Sequence, residues 1–229
     1  MIGMPWQPPY YLQHLEAFGL AKAKDLFAWD FHVTDGQMPA RFDRFARRFQ
    51  ERMDFTIRRF RMDRFWDEVE IVRQIYYEAW KDNWGFVPMD AEEFRHSAKD
   101  MKSMVDPNFL LIAEREGEPI GFSMTTQDFN EALHPLGGKL LPFGWLRFLR
   151  ARRNLHGCRT LLLGVRPEHR QRGIDVMLIH RTMEYGLAHG YNRSECSWIL
   201  EDNETMNRIL ERNGATLKNV YRILEKPVR

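Results

Sequence analysis

The sequence predicts an α/β fold of the mixed, α+β-like kind, and three observations predict it. First, residues 109–126, FLLIAEREGEPIGFSMTT, place two β-type runs around a polar turn at Glu116 and Gly117, which reads as a hairpin. Second, CRTLLLGVRP at 158–167 is a continuous apolar strand of the kind buried on both faces. Third, the predicted order is strand, two helices, hairpin, strand, helix, strand, helix, strand, which gives a mixed sheet with a parallel crossover near its middle.

Taken in order, Pro39 to Met53 has Phe42, Phe45, Phe49 and Met53 at helical spacing, with Arg41, Arg44, Arg47 and Arg48 elsewhere, an amphipathic helix. Phe55 to Arg61 alternates as a strand. Asp63 is placed to cap a long helix with the stripe Phe65, Val69, Val72, Tyr76 and Trp80. Asp90 and Glu93 form a capping box, and Phe94, Ala98, Met101 and Val105 face inward from the helix they open. After the hairpin, Asn130 to His156 is a long excursion with Pro135, Gly137, Gly138, Pro142 and Gly144, then the helix-like GWLRFLRARR. Gly164 inside the next strand predicts a bulge or a close backbone approach, and Pro167 ends that strand. A helix then starts near Gly173, with the stripe Val176, Ile179, Met183 and Leu187, and stops at Gly190. Arg193 to Leu200 is a strand, Asp202 or Asn203 caps a short helix ending at Asn213-Gly214, and Asn219 to Leu224 is the last strand.

A possible internal repeat bears on domain organisation. Leu15-Glu16-Ala17-Phe18-Gly19 precedes a run ending in Leu26-Phe27-Ala28-Trp29, and Leu210-Glu211-Arg212-Asn213-Gly214 precedes Val220-Tyr221-Arg222-Ile223. Both read helix, glycine stop, strand. Either the match is chance, since such a pentad is common, or residues 1–31 are the tail of a second copy of the same fold. Such a tail would pair with the main domain or with another chain, giving a homodimer. The expected organisation is this helix–strand piece at 1–31, a connecting segment with an amphipathic helix at 32–54, and the main domain at 55–229.

Composition excludes several function classes. With 44% hydrophobic and 29% charged residues the chain is globular, and a net charge of +2 leaves only local basic patches for polyanions. No nucleic-acid partner is expected, because no recognised module accompanies the arginines. The two cysteines, Cys158 and Cys196, make no disulfide framework, no apolar run spans a bilayer, and the first residues lack a signal-peptide pattern. The expected compartment is cytoplasmic. The eight histidines show no paired ligand spacing, and no metal is expected. Gly137-Gly138-Lys139 lacks the context of a phosphate loop, and Cys196 reads as a small core residue.

The chemistry lies in VRPEHRQRGIDVMLIHRTMEYG, residues 165–186. A buried strand enters a basic loop, and a glycine opens a helix. The unpaired N–H groups and dipole of such a helix start suit a phosphate, and Arg166, Arg170 and Arg172 reinforce the sign.

On these residues the chain resembles the GNAT superfamily of acyl-CoA-dependent N-acetyltransferases, in a poorly characterised bacterial branch. The ordered matches cover about residues 55–225: the A-E-x-x-G-E-P-I-G-F hairpin, the strand LLLGVRP, the loop Glu168 to Ile174 and the helix from Asn203 to Gly214. The resemblance implies the GNAT-type acyltransferase fold, a central mixed twisted sheet with helices on both faces. It implies acetyl-CoA or another acyl-CoA as co-substrate, and an amine acceptor that is a small molecule or a protein. It places the acyl-CoA arm on main-chain groups of Leu163, Gly164 and Val165. The pyrophosphate falls on Arg170, Gln171, Arg172, Gly173, Ile174 and Asp175, with Asn203 also in the binding set.

The sequence also departs from the family pattern. Asp175 stands where a glycine or alanine is usual, and Leu161-Leu162-Leu163 has no carboxylate where many relatives place a glutamate base. Leu210 stands where many place a tyrosine acid, leaving Tyr221 and Tyr185 as substitutes. Glu201 and Asp202 read either as helix-start residues or as an amine-binding or base carboxylate. Phe143 to Arg153 reads as a lid helix with a solvated arginine face, as a substrate gate, or as a contact for an acidic partner or anionic membrane surface. The expected activity is transfer of an acyl group, in the first place acetyl, from acyl-CoA to an amine. The alternative is a catalytically degenerate module that keeps this fold for ligand binding or protein association.

Overall fold

The computed structural model describes residues 4–227. Residues 1–3 and 228–229, the outer ends of the expected first and last segments, lie outside the described residues. In chain order the elements are α1 (Tyr10–Ala17), β1 (Ala21–His32), α2 (Ala40–Gln50), β2 (Thr56–Arg59), α3 (Phe65–Trp80) and α4 (Ala91–Met101). There follow β3 (Leu110–Arg115), β4 (Glu118–Gln127), α5 (Asn130–Leu133), α6 (Gly144–Ala151) and β5 (Gly157–Val165). The chain ends with α7 (Ile174–Ala188), β6 (Arg193–Leu200), α8 (Glu204–Arg212) and β7 (Thr216–Glu225).

These elements fall into two compact units. One comprises Val33–Gln127 and Thr160–Asn192; the other comprises the described parts of Met1–His32, Asp128–Arg159 and Arg193–Arg229. Strand β5 contributes its last six residues to the former and its first three to the latter.

In the Val33–Gln127 and Thr160–Asn192 unit the strand order is β2-β3-β4-β5. The predicted hairpin is present, turning through Glu116 (φ 54°) and Gly117 (φ 86°). Its pairing steps from Ala113↔Gly121 to Glu114↔Pro119, so Ile120 is the extra residue of a bulge. That slip reverses the alternation. Phe122 and Met124 pack on one face with Ile112, Phe65, Val69, Val72 and Ile75, while Ile120 joins Leu111, Ala113, Ile174, Met177 and Leu178 on the other. Phe94, Ala98, Met101 and Val105 pack against the first cluster, and α4 opens with the predicted Asp90–Glu93 capping box.

Three local expectations are corrected. Asp63 does not cap α3: it lies in a 3₁₀ turn, Met62–Arg64, and Arg64 takes the N-cap position. In α2 Phe42 is buried and Phe49 packs on the core as expected, with Met53 doing so beyond the helix end, but Phe45 is half exposed and Ala46 takes a buried position instead. In α7 the fully buried apolar residues are Ile174, Met177 and Leu178; of the expected stripe Val176 packs against them while partly buried, and Ile179, Met183 and Leu187 are only partly buried. The first two turns of α7 hold the consecutive apolar residues Val176 to Ile179, so periodicity alone could not choose the face.

In the other unit the order is β5-β6-β1-β7. Strands β5 and β6 begin side by side and parallel, with Arg193 N–H donating to His156 C=O at 3.1 Å and Arg159 reaching Ser197. Strand β1 pairs antiparallel with both β6 and β7. Both halves of the noted repeat have the same local form, a helix, a left-handed glycine (Gly19 φ 91°, Gly214 φ 90°) and a strand. When Gly19 is aligned with Gly214, Leu26 corresponds to Tyr221, and these two residues are cross-strand partners. The two pieces therefore face each other about a local two-fold.

Candidate active site

The predicted phosphate loop is built by backbone constraints. Pro167 has no N–H to continue β5, and Pro167–His169 forms a 3₁₀ turn. Gln171 (φ 62°) and Gly173 (φ 73°) then turn the chain into α7. A Cβ on Gly173 would lie 2.4 Å from the Phe49 ring, so glycine is required there by contact as well as by φ. The first helical bond runs from Met177 N–H to Gly173 C=O at 3.0 Å. The N–H groups of Ile174, Asp175 and Val176 thus have no acceptor within the helix, and the dipole adds a partial positive charge.

Arg170 is bound back to the scaffold: its Nη2 donates to Ala79 C=O at 2.8 Å and its Nε to Val165 C=O at 3.4 Å. Arg172 stays largely exposed, with Asp54 3.8 Å away. Arg166 lies 3.4 Å from Glu78 without hydrogen-bond geometry. Its Nε and the Nδ1 of His169 are buried polar atoms with no hydrogen-bond partner among the described residues. Asp175 is partly buried and forms no ion pair among the described residues.

On β5, Leu163 and Val165 pack with Ile174, Met177 and Leu178. Gly164 is a close approach, because a Cβ there would lie 2.4 Å from the Trp80 ring. Arg166 N–H bonds Ile120 C=O at 2.9 Å, so strand alternation turns the Leu163 and Val165 main-chain groups away from β4. The loop, the helix start and the end of β5 come together in one unit.

Of the candidate acid–base residues, only Tyr185 belongs to this unit. Tyr185 is eleven residues along α7 from Ile174, roughly 16 Å at 1.5 Å per residue. Its hydroxyl donates to Asp106 at 2.9 Å. Burial, then that carboxylate, pushes it up to about 12. Glu201, Asn203 and Tyr221 lie in the other unit. Glu201 accepts from Asp25 N–H at 3.0 Å and from Lys22 at 2.6 Å, and the Lys22 bond first, then the Asp25 N–H, holds its carboxyl below the usual range. Asn203 caps α8 by accepting from Met206 N–H at 3.2 Å. Tyr221 packs edge-on to Trp198, and burial raises its hydroxyl. Cys158 and Cys196 are free thiols that burial pushes up to about 11 and about 12, so neither is a thiolate nucleophile at neutral pH.

Sequence reasoning missed a buried polar cluster in this second unit. Arg159 donates to Ser197 Oγ at 3.1 Å, Ser197 Oγ donates to Glu195 at 2.8 Å, and all three residues are buried. Its signal was two opposite charges inside predicted strands.

The chain is 35% identical over 232 residues to the bacterial ceramide synthase of Caulobacter vibrioides, covering 99% of this chain and 60% of that protein. It is equally similar to protein YghO of Escherichia coli, covering 98% of this chain and 59% of that one. The chain thus spans about 60% of the length of these relatives. Among solved structures, a GCN5-related N-acetyltransferase from Sphaerobacter thermophilus superposes with a TM-score of 0.62 at 15% identity, over 95% of this chain and 56% of that one. A GCN5-related glucosamine N-acetyltransferase region of a fungal multi-domain enzyme gives 0.58 at 13% identity, over 97% of this chain and 24% of that one. These two share the fold. A match to the acetyltransferase (GNAT) family runs over residues 69–215, from within α3 through β4, β5, the loop 166–173 and α7 to just past α8. The strand, loop and helix start described above lie within that span, and the chain belongs to the acetyltransferase (GNAT) family.

Proposed function

We propose that this chain binds an acyl-CoA at the end of β5 and the start of α7 and transfers the acyl group to an amine. The observation that carries this is the α7 start, where the N–H groups of Ile174, Asp175 and Val176 have no helical acceptor and follow directly on the exposed Arg172 and the left-handed Gly173. A pyrophosphate meets donors of the right sign there. Leu163 and Val165 main-chain groups would hold the thioester arm and polarise its carbonyl. The amine nitrogen attacks the thioester carbon to form the C–N bond, the C–S bond breaks, CoA leaves as thiolate, and the amine proton passes to water, which reprotonates the thiolate. Glu201 is a weak base, since Lys22 and Asp25 hold its carboxylate ionised. Tyr185 and Tyr221 are weakened acids. The reading therefore rests on proximity for most of its rate.

The acceptor class is drawn from the ceramide synthase relative: a ceramide is the amide of a long-chain amino alcohol, and making one is N-acylation. Incubation with acetyl-CoA or palmitoyl-CoA and sphinganine, followed by mass spectrometry and thiol titration, should yield the amide and an equal amount of free CoA. A second reading, a non-catalytic binding module, is favoured by Asp175 and by the absence of a carboxylate from Leu161-Leu162-Leu163. CoA binding with no amide from any long-chain or small amine would select it.

A further inference from the structure

We propose that residues 139–153 dock the protein on the surface of an anionic lipid membrane. The segment carries Lys139, Arg147, Arg150, Arg152 and Arg153 and no Asp or Glu. None of the five cations forms an ion pair among the described residues. Between them protrude large apolar side chains: Leu141 is 82% exposed, Phe143 69%, Leu146 48%, Trp145 46% and Leu149 42%. Helix α6 has no buried residue. Its one large inward side chain, Phe148, sits 6.3 Å from the Phe129 ring. On the outer side, Trp145, Leu146 and Leu149 are neighbours at i, i+1 and i+4, with Arg150 and Arg147 beside them and Arg152 beyond.

Exposed aliphatic and aromatic tips bordered by unpaired arginines match the boundary between acyl chains and anionic headgroups. The apolar tips enter, and the guanidinium groups reach the phosphates. Charge complementarity selects this occupant, because the patch is cationic throughout while the whole chain is close to neutral. A protein groove that takes a helix would need its anchors along one helix face. Here Leu141 and Phe143, the most exposed anchors, precede the helix. A nucleic acid would need the cations but not the leucines. Among the described residues no helix is long and apolar enough to cross a membrane, so this docking lies in the plane of the surface. It holds whatever the acceptor amine is.

The test is co-sedimentation of the full chain with vesicles of phosphatidylglycerol and phosphatidylethanolamine, against vesicles of phosphatidylcholine. Parallel binding arms use poly-glutamate and duplex DNA. The parent should bind the anionic vesicles, hold them less well as salt rises, and ignore phosphatidylcholine. Arg150→Gln with Arg153→Gln should weaken binding by about 25-fold, at roughly fivefold for each basic residue. Trp145→Ser with Leu149→Ser should weaken it by about tenfold or more. All four positions are exposed, so melting temperatures should match the parent. No vesicle binding by the parent overturns the proposal, as does vesicle binding that both variants retain. Binding to poly-glutamate or DNA but not to vesicles identifies an acidic macromolecule instead and likewise overturns it.

Discussion

At the scale of single residues, Gly173 shows how a backbone requirement becomes a functional one. Its φ of 73° and the Phe49 ring exclude a side chain. Gly173→Ala should destabilise the protein by about 1–2 kcal/mol from the left-handed conformation alone, with the Phe49 contact adding to it, as a urea titration would show. Asp175 acts in the other direction. A carboxylate in the first turn of α7 interacts with the same dipole that a pyrophosphate would use, and at roughly 6 Å it would repel the ligand by about 2–3 kcal/mol before screening. Asp175→Ala should tighten CoA-thioester binding by about tenfold, and unchanged binding would show that the carboxylate faces solvent. Arg159→Met tests the buried cluster. Left without its guanidinium, buried Glu195 should cost on the order of 3 kcal/mol of stability, measurable by denaturant melts. The glycines, the capping box and the loop were legible in the sequence because local backbone rules govern them. The Arg159–Ser197–Glu195 cluster was not, because its partners meet only when two strands lie side by side.

At the scale of elements, β1 is held by charges as well as by its ladder. Asp25 accepts from Nε and Nη2 of Arg222 on β7, each at 2.9 Å, and lies 3.0 Å from Lys22. The Arg222 hydrogen bonds, then Lys22, lower its carboxyl from 3.8 to about 2. Because the folded value is depressed, the stabilisation is complete above about pH 4 and is lost as pH falls toward 2. Asp25→Asn should flatten stability over that window and cost about 1–2 kcal/mol at pH 7, allowing for the exposed side of Arg222. Urea midpoints at pH 7, 4 and 3 for parent and variant measure this, and equal slopes would remove Asp25 from the account. Strong patterns such as the β3–β4 hairpin could be read in advance. The inward face of α7 could not, since Ile174, Val176, Met177, Leu178 and Ile179 offer several apolar stripes. The start of α3 also escaped, because a 3₁₀ turn placed Arg64 where Asp63 was expected.

At the scale of the whole molecule, the mixed sheet followed from the order of elements, and the family resemblance from the hairpin, strand, loop and helix motifs. The acceptor did not, because loops that select acceptors are free to vary on a constant scaffold. The central claim is that the end of β5 and the start of α7 hold an acyl-CoA. Its most direct test is calorimetric titration of acetyl-CoA and palmitoyl-CoA into the parent and into Arg172→Glu, whose exposed side chain makes a fold defect avoidable. The account predicts one site per chain in the parent and binding at least tenfold weaker in Arg172→Glu. Failure of the parent to bind either thioester, or equal binding by both proteins, would contradict it.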